Sequence, residues 1–95
     1  MFKLEYTGAF KRDLKRIKKR SPKDLKLIEN FIIESLQVSG ANGLDKKYLA
    51  HKLRGSYDNN WECHIKPDLL LIWFEITPEN IIRLIRAGSH SDLFK

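Results

Sequence analysis

The hydrophobic pattern of this chain predicts an α+β domain in the order β-α-α-β-β-β, with a two-helix hairpin packed on a mostly antiparallel, twisted sheet. Three observations predict it. The chain opens with a period-two alternation, continues through two stretches with helical period, and ends in three strand-like runs separated by turn-forming residues.

Phe2, Leu4 and Tyr6 alternate with Lys3 and Glu5, which predicts a first strand with one face turned to a core. Thr7 ends it and suits a helix N-cap. From Ala9 to Arg20, Phe10, Leu14 and Ile17 recur at spacings of four and three, so they share one helical face while lysines and arginines fill the rest. Ser21-Pro22 followed by Asp24 predicts a second helix start, with Ser21 as N-cap and Pro22 at the first helical position. Leu25, Ile28, Phe31, Ile32, Ser35 and Leu36 hold the helical period until Ser39-Gly40-Ala41-Asn42-Gly43 breaks it. Lys46, Lys47, His51, Lys52 and Arg54 interrupt any apolar pattern between Leu44 and Tyr57, which predicts a loop leading into a short strand. WECHI from Trp61, LLLIWF from Leu69 and IIRLIRA from Ile81 then form a three-stranded meander. Pro67-Asp68 and Thr77-Pro78-Glu79-Asn80 supply the two turns. The unbroken run LLLIWF fits the central strand, with Trp73 and Phe74 in the core.

Ninety-five residues, 42% of them hydrophobic, make one domain over 1–95 and fall outside the composition of disordered chains. A formal charge of +6 and a pI near 9.6 favour polyanionic partners, nucleic acid first among them. No apolar run approaches the roughly 20 residues needed to span a bilayer, and MFKLEYTGAF has no signal-peptide pattern. A cytoplasmic protein that does not engage a membrane is the expectation. Cys63 is the only cysteine, which rules out an internal disulfide or a cysteine-based zinc cluster and leaves it as a buried, inert thiol.

Chemistry concentrates in the C-terminal half, which holds all three histidines, His51, His64 and His90. Imidazoles titrate near neutrality, so two of them are able to divide general base and general acid roles. Their surroundings, HKL, CHI and SHS, lack the HxH, HxxxH and HExxH spacings of metal sites, so no metal and no cofactor is expected. A hairpin turning at Lys66-Pro67-Asp68 would set Asp68 beside His64, where a carboxylate could orient an imidazole; Asp68 as a plain turn residue is compatible with that. Metal-free RNA cleavage needs a base for the 2′-hydroxyl, a cation for the charged phosphorane and an acid for the leaving 5′-oxygen. Histidines with arginines meet all three needs, and Phe94 or Trp61 could hold an unstacked base. The basic run KRDLKRIKKRSPKDLK could track a phosphate backbone or serve as a solvated helix face.

HKLRG at 51–55, ECHIKPDLLLIW at 62–73 and RAGSHSDLF at 86–94 resemble, in order, the signature blocks of YafQ-type toxins of the RelE/ParE superfamily. That pattern reads His-x-Leu-x-Gly, then Arg-(Asp or Glu)-x-His-x-x-Pro-Asp before an apolar strand, then Arg-x-Gly-(Ser or Thr)-His-x-x-Leu-Phe. The resemblance implies a RelE-like fold and the toxin half of a type II toxin–antitoxin pair, an endoribonuclease that cuts mRNA on the ribosome. It implies catalytic positions at His51, His64, Asp68 and His90, with His90 as proton donor to the leaving 5′-oxygen and His51 or His64 as base. Asp68 would orient His64 or take part in proton transfer, Arg86 would steady the phosphate, and Phe94 would pack on a base. Glu62 would bind or orient as well. A cognate antitoxin, and operator DNA bound only by the toxin–antitoxin complex, are the implied partners. One departure stands out: Trp61 takes the place of the pattern's Arg, so that, if that Arg meets a phosphate, this chain must recruit Arg54, Lys52 or Lys66 instead or bind RNA more weakly. A ParE-like gyrase poison and a non-catalytic nucleic-acid-binding module are the alternatives; ParE-like chains lack this histidine set.

Overall fold

The computed structural model describes residues 1–94. Strand β1 (Lys3–Tyr6) leads into helix α1 (Gly8–Arg20), followed by α2 (Pro22–Phe31), which runs on through a π-helical stretch at Ile32–Leu36 into a last turn, α3 (Gln37–Ser39). Short 3-10 turns flank the two-residue strand β2 (His51–Lys52). The meander β3 (Trp61–Lys66), β4 (Leu69–Ile76) and β5 (Ile81–Gly88) follows, and a one-turn helix, α4 (His90–Leu93), comes after it. The sheet order is β1-β5-β4-β3-β2, with β1 parallel to β5 and every other pair antiparallel. The expected layout therefore holds, with LLLIWF in the middle of the sheet.

Local chemistry explains the helix boundaries. The Thr7 hydroxyl accepts from Phe10 N–H, and its own hydrogen donates to the Leu84 carbonyl, so one side chain caps α1 and ties it to β5. Ser21 closes one helix and opens the next: its N–H donates to Ile17 O at 2.7 Å, and its hydroxyl accepts from Asp24 N at 3.2 Å. Pro22 lacks the N–H that a first-turn position leaves unused. The π-helical turn lies where Phe31 and Ile32, adjacent in sequence, are both buried together with Leu36.

Alternation along β3, β4 and β5 separates two faces. On the helix side, Cys63, Leu69, Leu71, Trp73, Ile82, Leu84 and Ala87 pack against Phe10, Ile17, Ile28, Phe31, Ile32 and Leu36. The other face carries a smaller cluster of Leu70, Ile72 and Leu93, edged by Leu53, Tyr57 and Ile85. Trp73 is fully buried as expected, whereas Phe74 is only half-buried because alternation turns it away from the helices. A register shift in β5 opposite Ile72 and Trp73 lets both faces of this strand stay filled.

Burial, reinforced by the neighbouring Glu62 charge, pushes the Cys63 thiol well above its ordinary value. Native protein at neutral pH is expected to resist alkylation by iodoacetamide and to react stoichiometrically once unfolded; mass spectrometry of both samples reads the outcome.

Candidate active site

Strand β3 presents Glu62 and His64 on the face away from the helices, while Trp61 and Cys63 turn toward them. Its neighbour β2 pairs His51 with Glu62, so both histidines meet one carboxylate. His51 Nε2 lies 3.4 Å and His64 Nε2 3.9 Å from Glu62 Oε1. Glu62 is only 4% exposed, and its Oε2 has no hydrogen-bond partner among the described residues. The Leu49 carbonyl, 2.8 Å from His51 Nδ1, is purely an acceptor, so that nitrogen carries the hydrogen and Nε2 is the atom left to face Glu62. Glu62 is thus a buried carboxylate beside two imidazoles, each contact becoming an ion pair only when the imidazole is protonated, rather than an exposed contact for substrate.

Asp68 takes a different partner from the one its position in the turn predicts. Its Oδ1 accepts from the His90 backbone N–H at 3.0 Å and contacts His90 Nδ1 at 3.1 Å. His64 instead directs Nδ1 toward the Pro67 carbonyl at 3.4 Å. The reason is that α4 folds back over the β3–β4 turn, where one residue offers Asp68 two donors at once. Because an ionised carboxylate only accepts, His90 Nδ1 carries the hydrogen, and Nε2 is left to exchange a proton with a ligand. The His64 and His90 rings stand 5.7 Å apart, and Phe94 lies 6.2 Å beyond His90, still 44% exposed. The row His51, Glu62, His64, His90, Phe94 thus runs across an open face rather than into an enclosed cavity.

Arg86 is held from the side. Its Nε donates to Asp13 Oδ2 at 2.7 Å, Nη2 to Asp13 Oδ1 at 3.1 Å, and Nη1 to the Tyr57 hydroxyl at 3.3 Å. The Asp13 hydrogen bonds raise the Arg86 pKa further, against the opposing effect of burial, so the guanidinium stays charged. Tyr57 in turn meets Phe94 edge-on at 5.9 Å, which joins the arginine to the aromatic end of the row. Asp92 completes a charge network: burial alone would raise its carboxyl, but the Ser89 N–H, Arg20, the Ser89 hydroxyl and Arg16 hold it below the usual range.

Other expectations need correction. Trp61 stacks on Trp73 at 6.4 Å and belongs to the helix-side core, so it is not placed to hold a base with the histidines. For the same reason its presence in place of Arg removes no cation from the histidine face. Lys66 is committed to Asp24 at 2.7 Å. Lys52, expected to bind substrate, pairs with Trp61 rather than Glu62 and sits 5.6 Å from the Trp61 ring, on the face opposite the histidines, because alternation turns it away from His51; Arg54 is exposed. Asp13 and Tyr57 are the two contributors that the sequence reading missed. Asp13 left a signal, since it stands three residues after Phe10 and four before Ile17, an acid on the apolar face of an otherwise basic helix.

The two His90 donors hold the Asp68 carboxyl below the usual carboxylate range, the backbone N–H contributing most. Asp68 therefore adds to stability above the titration range of an unfolded aspartate and loses that contribution as pH falls through its folded value. In His90→Ala the backbone donor survives and the ring donor is lost. The Asp68 midpoint, followed by carboxyl carbon NMR, is expected to rise only part of the way toward that of a free aspartate; no movement would mean that the ring contact does not form.

Comparison with known proteins places the chain. The YafQ family model, which describes a bacterial toxin of a type II toxin–antitoxin system, matches residues 2–95. The mRNA interferase toxin YafQ of Escherichia coli K12 is 31% identical over 91 residues, covering 96% of this chain and 94% of that protein. A metal-bound toxin from Helicobacter pylori superposes with a TM-score of 0.82 at 39% identity, over 99% of this chain and 100% of that one. The E. coli DinJ-YafQ complex matches with a TM-score of 0.80 at 28% identity, over 100% of both chains. With the family model spanning nearly every residue and the histidine row in place, this chain belongs to the YafQ family of type II toxin–antitoxin toxins.

Proposed function

We propose that the chain is an mRNA interferase, an endoribonuclease that cuts by attack of a ribose 2′-hydroxyl on the adjacent phosphorus, using histidines for proton transfer and no metal. The observation that carries this reading is the His90–Asp68 contact, which leaves Nε2 of an exposed imidazole to serve as acid beside the two other imidazoles, His51 and His64. One of His51 and His64 takes the 2′-hydroxyl proton at Nε2, and the imidazolium so formed pairs with the Glu62 carboxylate. The new 2′-O–P bond forms as the P–O5′ bond breaks, and His90 protonates the departing 5′-oxygen. The products are a 2′,3′-cyclic phosphate and a 5′-hydroxyl end. Arg86 offsets the charge of the pentacovalent phosphorus, and Phe94 stacks on an unpaired base, as single-stranded RNA is commonly held. Exposed Arg54, three residues after His51, supplies a backbone contact with a salt-dependent share of affinity.

An open face suits a polymer better than a small molecule, because a strand lies across it without entering a closed cavity. The relative's name, mRNA interferase toxin, supports the substrate class, and the DinJ-YafQ complex supports a cognate antitoxin as partner. We place cleavage on translating ribosomes and operator binding in the toxin–antitoxin complex.

Purified protein is to be incubated with mRNA, with and without ribosomes, in the presence of excess EDTA. Cleavage that persists in EDTA and leaves 2′,3′-cyclic phosphate ends is expected, with His90→Ala lowering its rate by about 10²–10⁴-fold while the fold persists. A His90→Ala protein as active as the parent would overturn the mechanism, and no cleavage under any condition would overturn the activity.

A further inference from the structure

Helix α1 carries seven basic residues and a single acid, and that acid is buried: Asp13 is 2% exposed. Four donors reach it. Arg16 Nη1 donates to Oδ1 at 2.9 Å and Arg86 Nη2 to the same oxygen at 3.1 Å; Arg86 Nε donates to Oδ2 at 2.7 Å and Ala87 N–H at 3.0 Å. These fill the roughly four acceptor positions of a carboxylate. Capping the Ala87 N–H alone would need only a hydroxyl or an amide oxygen. What a carboxylate adds is a two-point grip on one guanidinium, which fixes the plane of that group as well as its place.

The grip takes the Nε side of Arg86, and Tyr57 takes one Nη1 hydrogen. Of about five N–H bonds in a guanidinium, three are used and two remain, one on each Nη. The Arg86 side chain keeps 24% of its surface exposed, against 3% for Asp13, so the clamped cation, unlike its carboxylate partner, is partly open to solvent.

We propose that Asp13 is a positioning residue of the RNA site: by clamping the Nε side of Arg86 it presents the remaining N–H edge, already oriented, to the phosphate being cleaved. This rests on the RNA-cleavage reading of the same face. An arginine free to rotate would lose its side-chain freedom when the charge develops, whereas a clamped one has lost it during folding. Asp13 touches no substrate and reaches the phosphate through Arg86, while its contacts to Arg16 and the Ala87 N–H hold α1 on β5.

The test is a double-mutant cycle on the full chain, using Asp13→Asn, Arg86→Gln and the pair, with kcat and KM for RNA measured separately. Asp13→Asn is expected to lower kcat about 10–100-fold with KM nearly unchanged, and to lower it no further in the Arg86→Gln background. Losses that multiply would overturn the proposal. Arg86→Lys covers the case in which Asp13→Asn fails to fold: it keeps the charge but loses the fork, so it should be as impaired as Arg86→Gln, and near-parental activity would overturn the proposal. A readout independent of activity is the Arg86 Nε–H resonance, which should be resolved and slow to exchange in the parent and lost in folded Asp13→Asn. Its persistence there would sink the clamp even if RNA is cut. Its loss, in a parent that cuts no RNA, would uphold the clamp while the cleavage reading fails.

Discussion

One buried carboxylate closes the sheet where the sheet runs out of strands. Strand β1 pairs with β5 only from Ile81 to Leu84, which leaves the last residues of β5 with an open edge. Helix α1 lies along that edge, and its side chains do what a longer β1 would have done: Asp13 accepts from the Ala87 N–H, and Arg16 donates to the Ala87 carbonyl at 3.2 Å. An unpaired edge inside the fold would cost a hydrogen bond at each backbone group, so this substitution fixes how α1 sits on β5. Arg86 inherits its place from it, because it immediately precedes Ala87 in β5.

The histidine row depends on two further carboxylates used in opposite ways. Glu62 is buried and meets two imidazoles without satisfying both of its own oxygens, which keeps His51 and His64 near one charge. Asp68 is exposed and meets one imidazole, so its ion pair contributes little to stability; its consequence is the ring orientation of His90. Burial of the one and exposure of the other follow from position: Glu62 lies in the middle of a sheet face and Asp68 at the tip of a hairpin.

Much of this was legible in the chain. Period-two and helical-period patterns located five of the elements, Ser21-Pro22 marked the junction of the helices, and LLLIWF identified the middle strand. The three histidines, Asp68, Arg86 and Phe94 do meet on one region of the surface. The pairings among them were not legible, because they depend on how far α4 folds back over the β3–β4 turn, and short-range spacing favoured His64 as the partner of Asp68. Trp61 was misread for a simpler reason. Which face of a strand a residue occupies is set by register, and Trp61 and Glu62, adjacent in sequence, lie on opposite faces. Asp13 was concealed by the charge around it, and only its phase relative to Phe10 and Ile17 betrays burial.

The pairing of Lys3 with Ile81 joins the two ends of the molecule in one sheet. During synthesis the first strand emerges long before its partner has been translated, and the intervening helices have no complete sheet to rest on. His90 and Phe94 arrive later still. Assembly of the sheet therefore awaits β5, and a copy made only as far as β4 holds neither the finished edge nor the full row of imidazoles. For a member of a toxin family, such a connection order ties the full site to the synthesis of β5 and α4.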